Sequence, residues 1–402
     1  MLTFKYTARD PKTHEEIKST VQAQSQPAAV KLITDQGLMP TSIEVQTAGN
    51  KFSSGNKISS KDKIVFFRQL STLVGAGLPL TQSLRTVIEQ VDSKGLVTVL
   101  MQVVSDVEGG TPLADAMAKH PKVFSDVVVS LIAAGEASGM LDESLKRIAD
   151  QTEKDAEMIS KVRGALVYPA IVLFVIIAVI VFMLTTVLPQ IELLYQDLNQ
   201  DLPLTTDIML KIASALTSFW WVVLIILGVG IFLLKKYIET DSGRRQFDAF
   251  KMKVPLFGKL FKKLYMARFA RTGAILMQSG VQMLEMLSIT SRAVNNVLVA
   301  EDIIKAAGKV RGGKQLSESL SDSDHFLSLV PQMISIGEKS GSLDGMMSKA
   351  ADFYEKELDD EIKTISTTIE PLLMVVLAVI AAIMVGAILL PVYGLVGGNI
   401  SL

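Results

Sequence analysis

The 402-residue sequence contains no cysteine and only three histidines. Without cysteine, the chain forms no disulfide and offers no thiolate for catalysis or for binding a metal. The histidines His14, His120 and His325 lie far apart in sequence, which argues against a histidine-based site. The 40 basic and 41 acidic residues balance, and no basic stripe with interleaved aromatic residues is present, so the composition also argues against nucleic-acid binding.

Apolar and charged residues are both abundant, and each excludes one class of protein. Hydrophobic residues make up 49% of the chain, above the usual content of a soluble protein, while 20% charged residues exclude a chain that lies wholly in a membrane. The two populations must therefore occupy different stretches of sequence. Residues 1–18 carry charges throughout and have no apolar core, so a cleavable signal peptide is not expected there.

A pattern of turn, charged helix and apolar run occurs twice. Each copy begins with Gly-Glu-x-x-Gly, continues through about twenty residues rich in charge, and ends in an apolar run that a proline opens and a proline closes. Five landmarks at one constant spacing indicate an internal duplication. The pairs, each separated by 202 residues, are Gly135/Gly337, Glu136/Glu338, Gly139/Gly341, Pro169/Pro371 and Pro189/Pro391.

The segments that precede the first apolar run predict a small αβ unit, a linker and a helical bundle. Residues 1–46 combine alternating strand patterns with one short helix that ends at Gly37. Residues 47–60 are rich in Gly, Ser and Asn and predict a linker. Residues 61–163 show helical periodicity broken by glycine and proline, which predicts a compact six-helix bundle. The predicted helices start at Ser60 and continue over 80–91, 96–107, 113–119, 125–134 and 141–163.

Residues 235–369 repeat the first bundle. The spacing of the two copies is 203 residues at first and becomes 202 by Phe124/Phe326, so the second copy has lost one residue. We therefore expect the two bundles to share one fold. Further matched pairs at a spacing of 203 are Phe66/Phe269, Arg68/Arg271, Leu73/Leu276, Gly77/Gly280, Gly110/Gly313 and Leu113/Leu316.

Three uncharged runs predict transmembrane helices, at residues 165–188, 212–234 and 371–391. The first run has 24 residues and would be about 36 Å long as a helix, more than the roughly 30 Å of a bilayer's hydrocarbon core. The second run contains Trp220 and Trp221 in its interior rather than at its edge, so its start is less sharply defined.

The distribution of lysine and arginine predicts the orientation of these spans. The loop 189–211 holds a single basic residue, whereas a dense group of lysines and arginines follows residue 234. By the positive-inside rule, both bundles are expected in the cytoplasm, and the loop and the tail 392–402 outside it. A nucleic-acid patch is the alternative interpretation of these lysines, but their place beside a span favours topology and contact with anionic lipid. The span 212–234 then brings the chain back to the cytoplasmic side, so that both copies have the same orientation relative to the membrane.

A further set of motifs accompanies the two bundles and the apolar runs. The motifs are Phe66-x-Arg68-Gln69-Leu70, Ala76-Gly77-Leu78-Pro79, Gly109-Gly110-Thr111-Pro112, Gly135-Glu136-x-x-Gly139, Tyr168-Pro169, Pro255-Leu256-Phe257-Gly258, Gly337-Glu338-x-x-Gly341 and Glu370-Pro371. Together they resemble the type II secretion F-domain, the family of inner-membrane platform proteins of secretion systems and of type IV pilus assembly. The resemblance covers roughly residues 60–400, and the unit 1–46 is similar to a small domain that precedes the first bundle in many members. In one departure, Gln282 replaces the proline found at Pro79.

The resemblance implies a mainly α fold, with two homologous cytoplasmic six-helix bundles, three transmembrane helices and no enzymatic activity. It implies a multi-pass protein of the bacterial inner membrane, with a cytoplasmic amino terminus and no cofactor or metal. The implied partners are a cytoplasmic hexameric ATPase, pilins or pseudopilins, other inner-membrane components, membrane lipids and further copies of the chain, with no nucleic acid. Pilus, secretion and DNA-uptake machines all remain open.

Two pairs of acidic motifs have a functional and a structural interpretation. The Gly-Glu turns either bind a cation or the ATPase, or they are structural, with Gly135 and Gly337 at positive φ and each glutamate capping the next helix. The structural interpretation is favoured. The acidic runs 150–157 and 355–361 either hold a divalent cation between subunits or form solvated helix faces, and solvated faces are favoured.

Prolines mark both ends of two apolar runs. Tyr168-Pro169 and Glu370-Pro371 open them, and a proline there is expected to end or kink the incoming helix, which would suit a hinge. Pro189 and Pro391 are expected to terminate the spans. The candidate residues for structure and coupling are Gly77, Gly110, Gly135, Glu136, Gly139, Tyr168, Pro169, Gly280, Gly313, Gly337, Glu338, Gly341, Glu370 and Pro371.

Two other functional classes fit the sequence less well. A membrane transporter would place ionisable groups in mid-membrane, whereas all three runs lack charge, so only an oligomer of this chain would suit that function. An intramembrane enzyme would need a pair of aspartates, a Ser/His pair or a metal cluster, and the apolar runs contain none of these.

Overall fold

The computed structural model describes residues 2–9, 16–23, 26–35, 37–45, 58–197, 211, 214, 218–255 and 257–397. The chain separates into two compact units, one of residues 1–156 with 279–281 and the other of residues 157–278 with 282–402. Most of the predicted linker 47–60, most of the loop 189–211 and the start of the run 212–234 lie outside the described residues.

A three-stranded antiparallel sheet lies near the amino terminus. Its strands are β1 (Leu2–Arg9), β2 (Glu16–Ala23) and β3 (Met39–Val45), in the order β2-β1-β3. Helix α1 (Gln26–Asp35) connects β2 to β3. Ala8 of β1 and Ile33 of α1 are fully buried against each other, and Leu38 packs on them, which fixes the helix on the sheet.

The rest of the first unit is helical. Its first helix begins at Ser60, after Ser59 and Asp62 have satisfied each other's backbone N–H groups in a capping box. Phe66, Phe67 and Phe124 form an aromatic core whose ring centroids lie 5.0 to 6.4 Å apart. The helices are α2 (Ser60–Gly75), α3 (Leu80–Glu89), α4 (Lys94–Glu108), α5 (Leu113–Ala118), α6 (Asp126–Ser138) and the start of α7 (Leu141–Phe182).

The second unit repeats this order of helices. The pair Phe269–Phe326, with centroids 5.0 Å apart, takes the place of Phe66–Phe124. After α7 come a π-helical turn (Met183–Val187) and α8 (Leu188–Asp197). The later helices are α9 (Trp220–Ile238), α10 (Asp241–Lys253), α11 (Phe257–Gln278), α12 (Met283–Ala293), α13 (Val297–Arg311), α14 (Leu316–Ser321), α15 (Leu329–Ser340) and α16 (Leu343–Gly397).

The change of spacing between the copies falls in a loop. Helix α5 and helix α14 have the same six-residue length at a spacing of 203, whereas Phe124 and Phe326 are already separated by 202. The missing residue therefore belongs to the connection that follows the short helix. Loops accept such deletions because few packed side chains depend on their length.

Two helices among the described residues are long and apolar enough to cross a membrane. They are Leu141–Val187, which contains 18 consecutive residues with a mean hydropathy of 3.1, and Leu343–Gly386, which contains 18 with a mean of 2.5. Large apolar side chains along them are exposed, among them Phe174, Phe182 and Leu372. Helix α9 is 19 residues long and exposes Phe232 and its neighbours in the same way. Its last turn contains Lys235 and Lys236.

The prolines do not end helices as the sequence suggested. Pro169 lies inside α7, and Pro371 and Pro391 lie inside the 55-residue α16. Pro189 is the second residue of α8, where its missing N–H leaves no broken hydrogen bond of that helix. The prediction that Pro169 and Pro371 end the incoming helix is therefore wrong, whereas a kink at these prolines and the ends of the spans at Pro189 and Pro391 stay predictions. One lost backbone bond costs less than the many bonds and the apolar packing that carry the helix past it.

Candidate functional site

Each repeat contains a tight connection from a short helix to its long helix. We call α6, Gly139 and the first turn of α7 the first elbow, and α15, Gly341 and the first turn of α16 the second elbow. Gly139 and Gly341 both have φ of 72°, a left-handed conformation that costs glycine little. The backbone N–H of the following residue then donates back to Gly135 O at 2.9 Å or to Gly337 O at 3.0 Å, which closes a Schellman motif.

Gly135 and Gly337 serve close packing, which corrects the expectation of positive φ at these two positions. Both lie within helices, α6 and α15. A Cβ atom on Gly135 would come within 2.5 Å of Ser144 Oγ, and one on Gly337 within 2.7 Å of Leu343 Cα. Contacts this short do not occur in folded proteins, so glycine is required for the short helix to lie directly on the start of the long one.

The glutamates Glu136 and Glu338 bind the helix that precedes the elbow, so the prediction that they cap the next helix is wrong. Glu136 accepts hydrogen bonds from the backbone N–H groups of Leu113 at 2.6 Å and Ala114 at 2.9 Å, at the start of α5. Pro112, the N-cap residue of α5, offers no side-chain acceptor, so the glutamate supplies the missing cap.

The second copy uses the same capping arrangement. Glu338 accepts from Leu316 N at 2.6 Å, from Ser317 N at 3.4 Å and from Ser317 Oγ at 2.5 Å, at the start of α14. Gln315 precedes this helix and makes no side-chain cap. Each elbow glutamate is therefore occupied by intramolecular donors, which argues for the structural interpretation of the Gly-Glu motif.

The remaining predicted turn glycines also adopt matching conformations in the two copies. The φ angles are 85° and 83° at Gly77 and Gly280, and 91° and 89° at Gly110 and Gly313. Gln282 has φ of −64° and ψ of 148°, close to the −54° and 140° of Pro79. The loss of that proline therefore leaves the shape of the turn intact.

An arginine joins the first helix of each repeat to the long helix. Arg68 on α2 pairs with Asp150 at 2.8 Å and with Glu153, both on α7. We call this set the first clamp. The hydrogen bonds to the two carboxylates raise the pKa of the Arg68 guanidinium.

The second clamp is the equivalent set around Arg271 on α11. Its guanidinium pairs with Glu355 at 2.8 Å and with Asp352, both on α16. The Arg271 side chain is only 8% exposed, against 43% for Arg68. The two clamps share their chemistry and differ in their access to water, so they are expected to differ in strength.

The acidic runs lie on helix faces that are partly open to water, and intramolecular cations pair with most of their carboxylates. Lys263 reaches Glu357 at 2.9 Å and Glu361 at 2.6 Å. Lys161 reaches Glu157 at 3.0 Å and Asp359 at 2.9 Å. Burial lowers the pKa of Lys263, but the hydrogen bonds to its two glutamates outweigh burial and raise it overall. No group of three or more acidic or histidine side chains suited to a metal occurs among the described residues.

The motifs that open the apolar runs lie on the surface of the long helices. Tyr168 is exposed at the position where α7 becomes apolar, and Glu370 is exposed at the equivalent point of α16. The clamp carboxylates lie on the charged part of the same helices, 15 to 18 residues earlier in sequence, and the elbow glycines Gly139 and Gly341 precede Tyr168 and Glu370 by 29 residues. Each long helix therefore carries elbow, clamp and apolar run in one order, without a break between them.

Sequence reasoning did not anticipate a polar cluster in the second unit. His325 Nδ1 lies 2.6 Å from Asp302 Oδ2, and the Ser323 hydroxyl donates to the same oxygen at 2.5 Å. Both groups bind the carboxylate, so the imidazole does not contact the serine hydroxyl and does not activate it as in a catalytic triad. Asp302 and Ser323 are 21 residues apart, and no local sequence signal connects them.

Comparison with known proteins decides the family. The family model described as "Type II secretion system (T2SS), protein F" matches residues 66–189 and again residues 269–391. The chain belongs to the type II secretion protein F family. The two matched segments begin at the paired phenylalanines Phe66 and Phe269 and end at the paired prolines Pro189 and Pro391. Each of the two matched segments thus contains one clamp, one elbow and one apolar run.

Relatives in this family match the chain over nearly its whole length. The type IV pilus assembly protein PilC of Thermus thermophilus is 36% identical over 99% of both chains. PilC of Myxococcus xanthus is 35% identical over 96% of this chain and 93% of its own. The type II secretion system protein F of Pseudomonas aeruginosa is 31% identical over 98% of this chain and 99% of its own.

Proposed function

We propose that this chain is the inner-membrane assembly platform of a type IV pilus or type II secretion machine. In this role it is a scaffold without enzymatic activity, and it couples a cytoplasmic hexameric ATPase to the addition of pilins or pseudopilins. Support comes from the names of its relatives, which are components of pilus assembly or of type II secretion.

The proposed topology has three spans in the bacterial inner membrane, with a cytoplasmic amino terminus. The basic residues at the end of α9 and along α10 support a cytoplasmic second bundle. The proposed order is an αβ unit (1–46), a linker (47–60), a first six-helix bundle (61–163), a span (165–188), a periplasmic loop (189–211), a span (212–234), a second six-helix bundle (235–369), a span (371–391) and a periplasmic tail (392–402).

The observation that carries this proposal is that one unbroken helix in each repeat holds both a packed charged part and an apolar part. In α16, residues 343–369 pack into the second unit, and the apolar run follows with no loop between. A displacement applied to the charged part reaches the apolar part directly, because backbone hydrogen bonds keep the helix stiff. This continuity suits a protein that transmits motion made by a partner.

The paired turn glycines, the elbows and the motifs at Pro169 and Pro371 hold these helices in place in the proposed mechanism. A motor that pushes on a bundle moves a long helix only if that helix is fixed to the bundle. The close contacts at Gly135 and Gly337 and the capping bonds of Glu136 and Glu338 supply this attachment. The proposed further partners are other inner-membrane components, membrane lipids and additional copies of the chain.

Deletion of the gene combined with co-purification tests this function. Without the platform, the cell should still make and insert pilin but should assemble no fibre or secrete no substrate. The full chain, solubilised from membranes, should co-purify with the assembly ATPase and with pilin. Normal fibres in the deletion strain, or repeated failure to recover either partner, would contradict the proposal.

A further inference from the structure

A cleft of about 420 Å³ lies in the second unit beside the point where α16 becomes apolar. Helix α10, the turn that follows it and the start of α11 form one wall. Four residues of α16 form the other, and their spacing of three and four places them on a single helix face. These four residues are Glu361, Thr364, Ile365 and Thr368.

Two lysines at this cleft have no acidic partner. Lys253 ends α10 and Lys259 lies in the first turn of α11, and both line the cleft and are exposed. Across the part of the chain that the structure describes, neither ammonium forms an ion pair, whereas Lys263 and Lys161 both pair with carboxylates of α16. The cleft therefore carries two positive charges that no described residue of the second unit neutralises.

The single carboxylate that lines the cleft does not cancel this charge. Glu361 is bound to Lys263 at 2.6 Å, and that lysine also holds Glu357. The hydroxyls of Thr364 and Thr368 donate to carbonyls of their own helix at 2.9 and 2.7 Å, and a better acceptor can compete for them. The lining thus offers two ammonium groups and two hydroxyls, which is the chemistry that binds a phosphate group.

The position of the cleft indicates where that phosphate comes from. Thr368 precedes Pro371 by three residues, which is about 4.5 Å along the helix axis. If α16 spans the membrane, as the proposed function requires, the cleft faces the layer of lipid headgroups on the cytoplasmic side. Ile365 and Ile369, at the level of the cleft, are buried, which holds this part of α16 in place.

We propose that this cleft binds the phosphate of an anionic phospholipid, with Lys253 and Lys259 as its charged ligands. Among the described residues, the first repeat has no helix equivalent to α10 and so no equivalent of this cleft. Lipid binding would then anchor only the second bundle at the membrane surface. The inference rests on the proposed topology, since an α16 outside the membrane would not place the cleft at headgroups.

Lipid titration of the purified full chain tests the site. In a neutral detergent, native mass spectrometry would compare phosphatidylglycerol with phosphatidylcholine of the same acyl chains. Wild type should bind phosphatidylglycerol more tightly, and K253Q/K259Q should weaken that binding roughly tenfold, since each lysine near a membrane surface contributes an appreciable attraction. The charge-preserving K253R/K259R should retain it.

The matched control is K349Q/K356Q, which removes two exposed lysines of α16 far from the cleft. It should stay within about twofold of wild type, because a charge far from the ligand is screened. Equal weakening in both double variants would show a general charge effect and overturn the site. Full displacement of the lipid by millimolar inorganic phosphate would overturn the lipid assignment.

Failure of the lipid-site proposal can be distinguished from failure of the platform proposal. Unchanged phosphatidylglycerol affinity in K253Q/K259Q, in a chain whose three spans are shown by labelling, would overturn the lipid site and leave the platform standing. A chain whose α16 does not reach the far side of the membrane would contradict the platform topology itself.

Discussion

At the scale of single residues, Gly135 and Gly337 show how strongly one missing Cβ can constrain a fold. Their neighbours across the elbow are Ser144 and Leu343, on the first turns of the long helices. The backbone conformation of both glycines is helical, so other residues fit them locally. Glycine is needed only because a second helix lies in the space that a side chain would take.

Replacement of Gly135 by valine should therefore destabilise the first unit. We expect a loss of about 1–3 kcal/mol in the free energy of unfolding, because the β-branched side chain must displace the start of α7. Thermal unfolding of the full chain in detergent measures the change. Gly308→Ala is the matched control, since Gly308 lies in α13 with open space around it, and alanine there should be neutral or stabilising. Equal stability of both variants would contradict the contact.

The elbow glutamates give a second prediction, with a local readout. Glu136→Ala should leave the amides of Leu113 and Ala114 without acceptors, at a cost of about 1 kcal/mol typical of a lost cap. Hydrogen exchange of these two amides should accelerate, while exchange at Leu316 and Ser317 stays unchanged. Glu338→Ala should give the reverse pattern. Equal acceleration in both repeats would show global destabilisation instead of a lost cap.

At the scale of helices, the two clamps have the same chemistry in different surroundings. Arg271 is nearly buried, whereas Arg68 keeps contact with water. Removing one partner from a buried pair leaves a poorly solvated charge, whereas an exposed pair contributes little. The duplication has therefore preserved the ion pairing of α2 with α7 and of α11 with α16, but the two sets of pairs are expected to contribute differently to stability.

We therefore predict unequal effects for the same substitution. Arg271→Gln should cost about 1.5–3 kcal/mol, the range for hydrogen bonds to charged groups, because a buried guanidinium is lost while Asp352 is 64% exposed, and Arg68→Gln less than about 1 kcal/mol. Denaturant titration of the full chain in detergent compares the two variants. Added salt should reduce the effect of Arg68→Gln more than that of Arg271→Gln, since water screens the exposed pair. Similar losses for both would show that burial does not set the strength of the clamps.

The sequence was informative about helices and turns but not about what they touch. Periodicity and glycine spacing predicted the helix order of 60–163, and Gly139 and Gly341 do end helices in the left-handed conformation. The contacts of Glu136 with a helix 22 residues earlier, and of Arg68 with a helix some 80 residues later, could not be read from spacing. Such contacts depend on how helices pack, and a linear pattern does not encode that.

The prolines are the clearest failure at this scale. A rule derived from isolated helices predicted an end or a kink at Pro169 and Pro371, and the long helices do not end there. The rule counts only the lost hydrogen bond and the local clash. In an apolar segment, any further unpaired backbone group would cost still more, which favours continuation of the helix.

At the scale of the whole molecule, the absence of cysteine makes topology directly measurable. Single cysteines introduced at Gln200, Ser242 and Ser401 report three different segments, of which Gln200 and Ser401 lie outside the described residues. In cells whose outer membrane has been permeabilised and whose inner membrane is intact, an impermeant thiol reagent should label Gln200→Cys and Ser401→Cys but not Ser242→Cys. Labelling at Ser242 would contradict the three-span arrangement.

Permeabilisation of the inner membrane provides the control for this experiment. After the inner membrane is permeabilised, Ser242→Cys should react as strongly as the other two variants, because Ser242 lies in the first turn of α10 and is exposed. Continued protection would mean that the thiol is buried by a partner, and the first result would then say nothing about its side of the membrane.

The length of α16 has a mechanical consequence. Its buried contacts in the second unit reach as far as Ile369, and the described side chains beyond that point are exposed or half-buried. The remaining 28 residues to Gly397 form an arm of roughly 42 Å at 1.5 Å per residue. A tilt of about 10° at its base would carry the far end roughly 7 Å, more than the 5.4 Å rise of one helical turn. A small tilt of the helix at the bundle thus produces a large displacement of its far end, and the force available at that end is reduced in proportion.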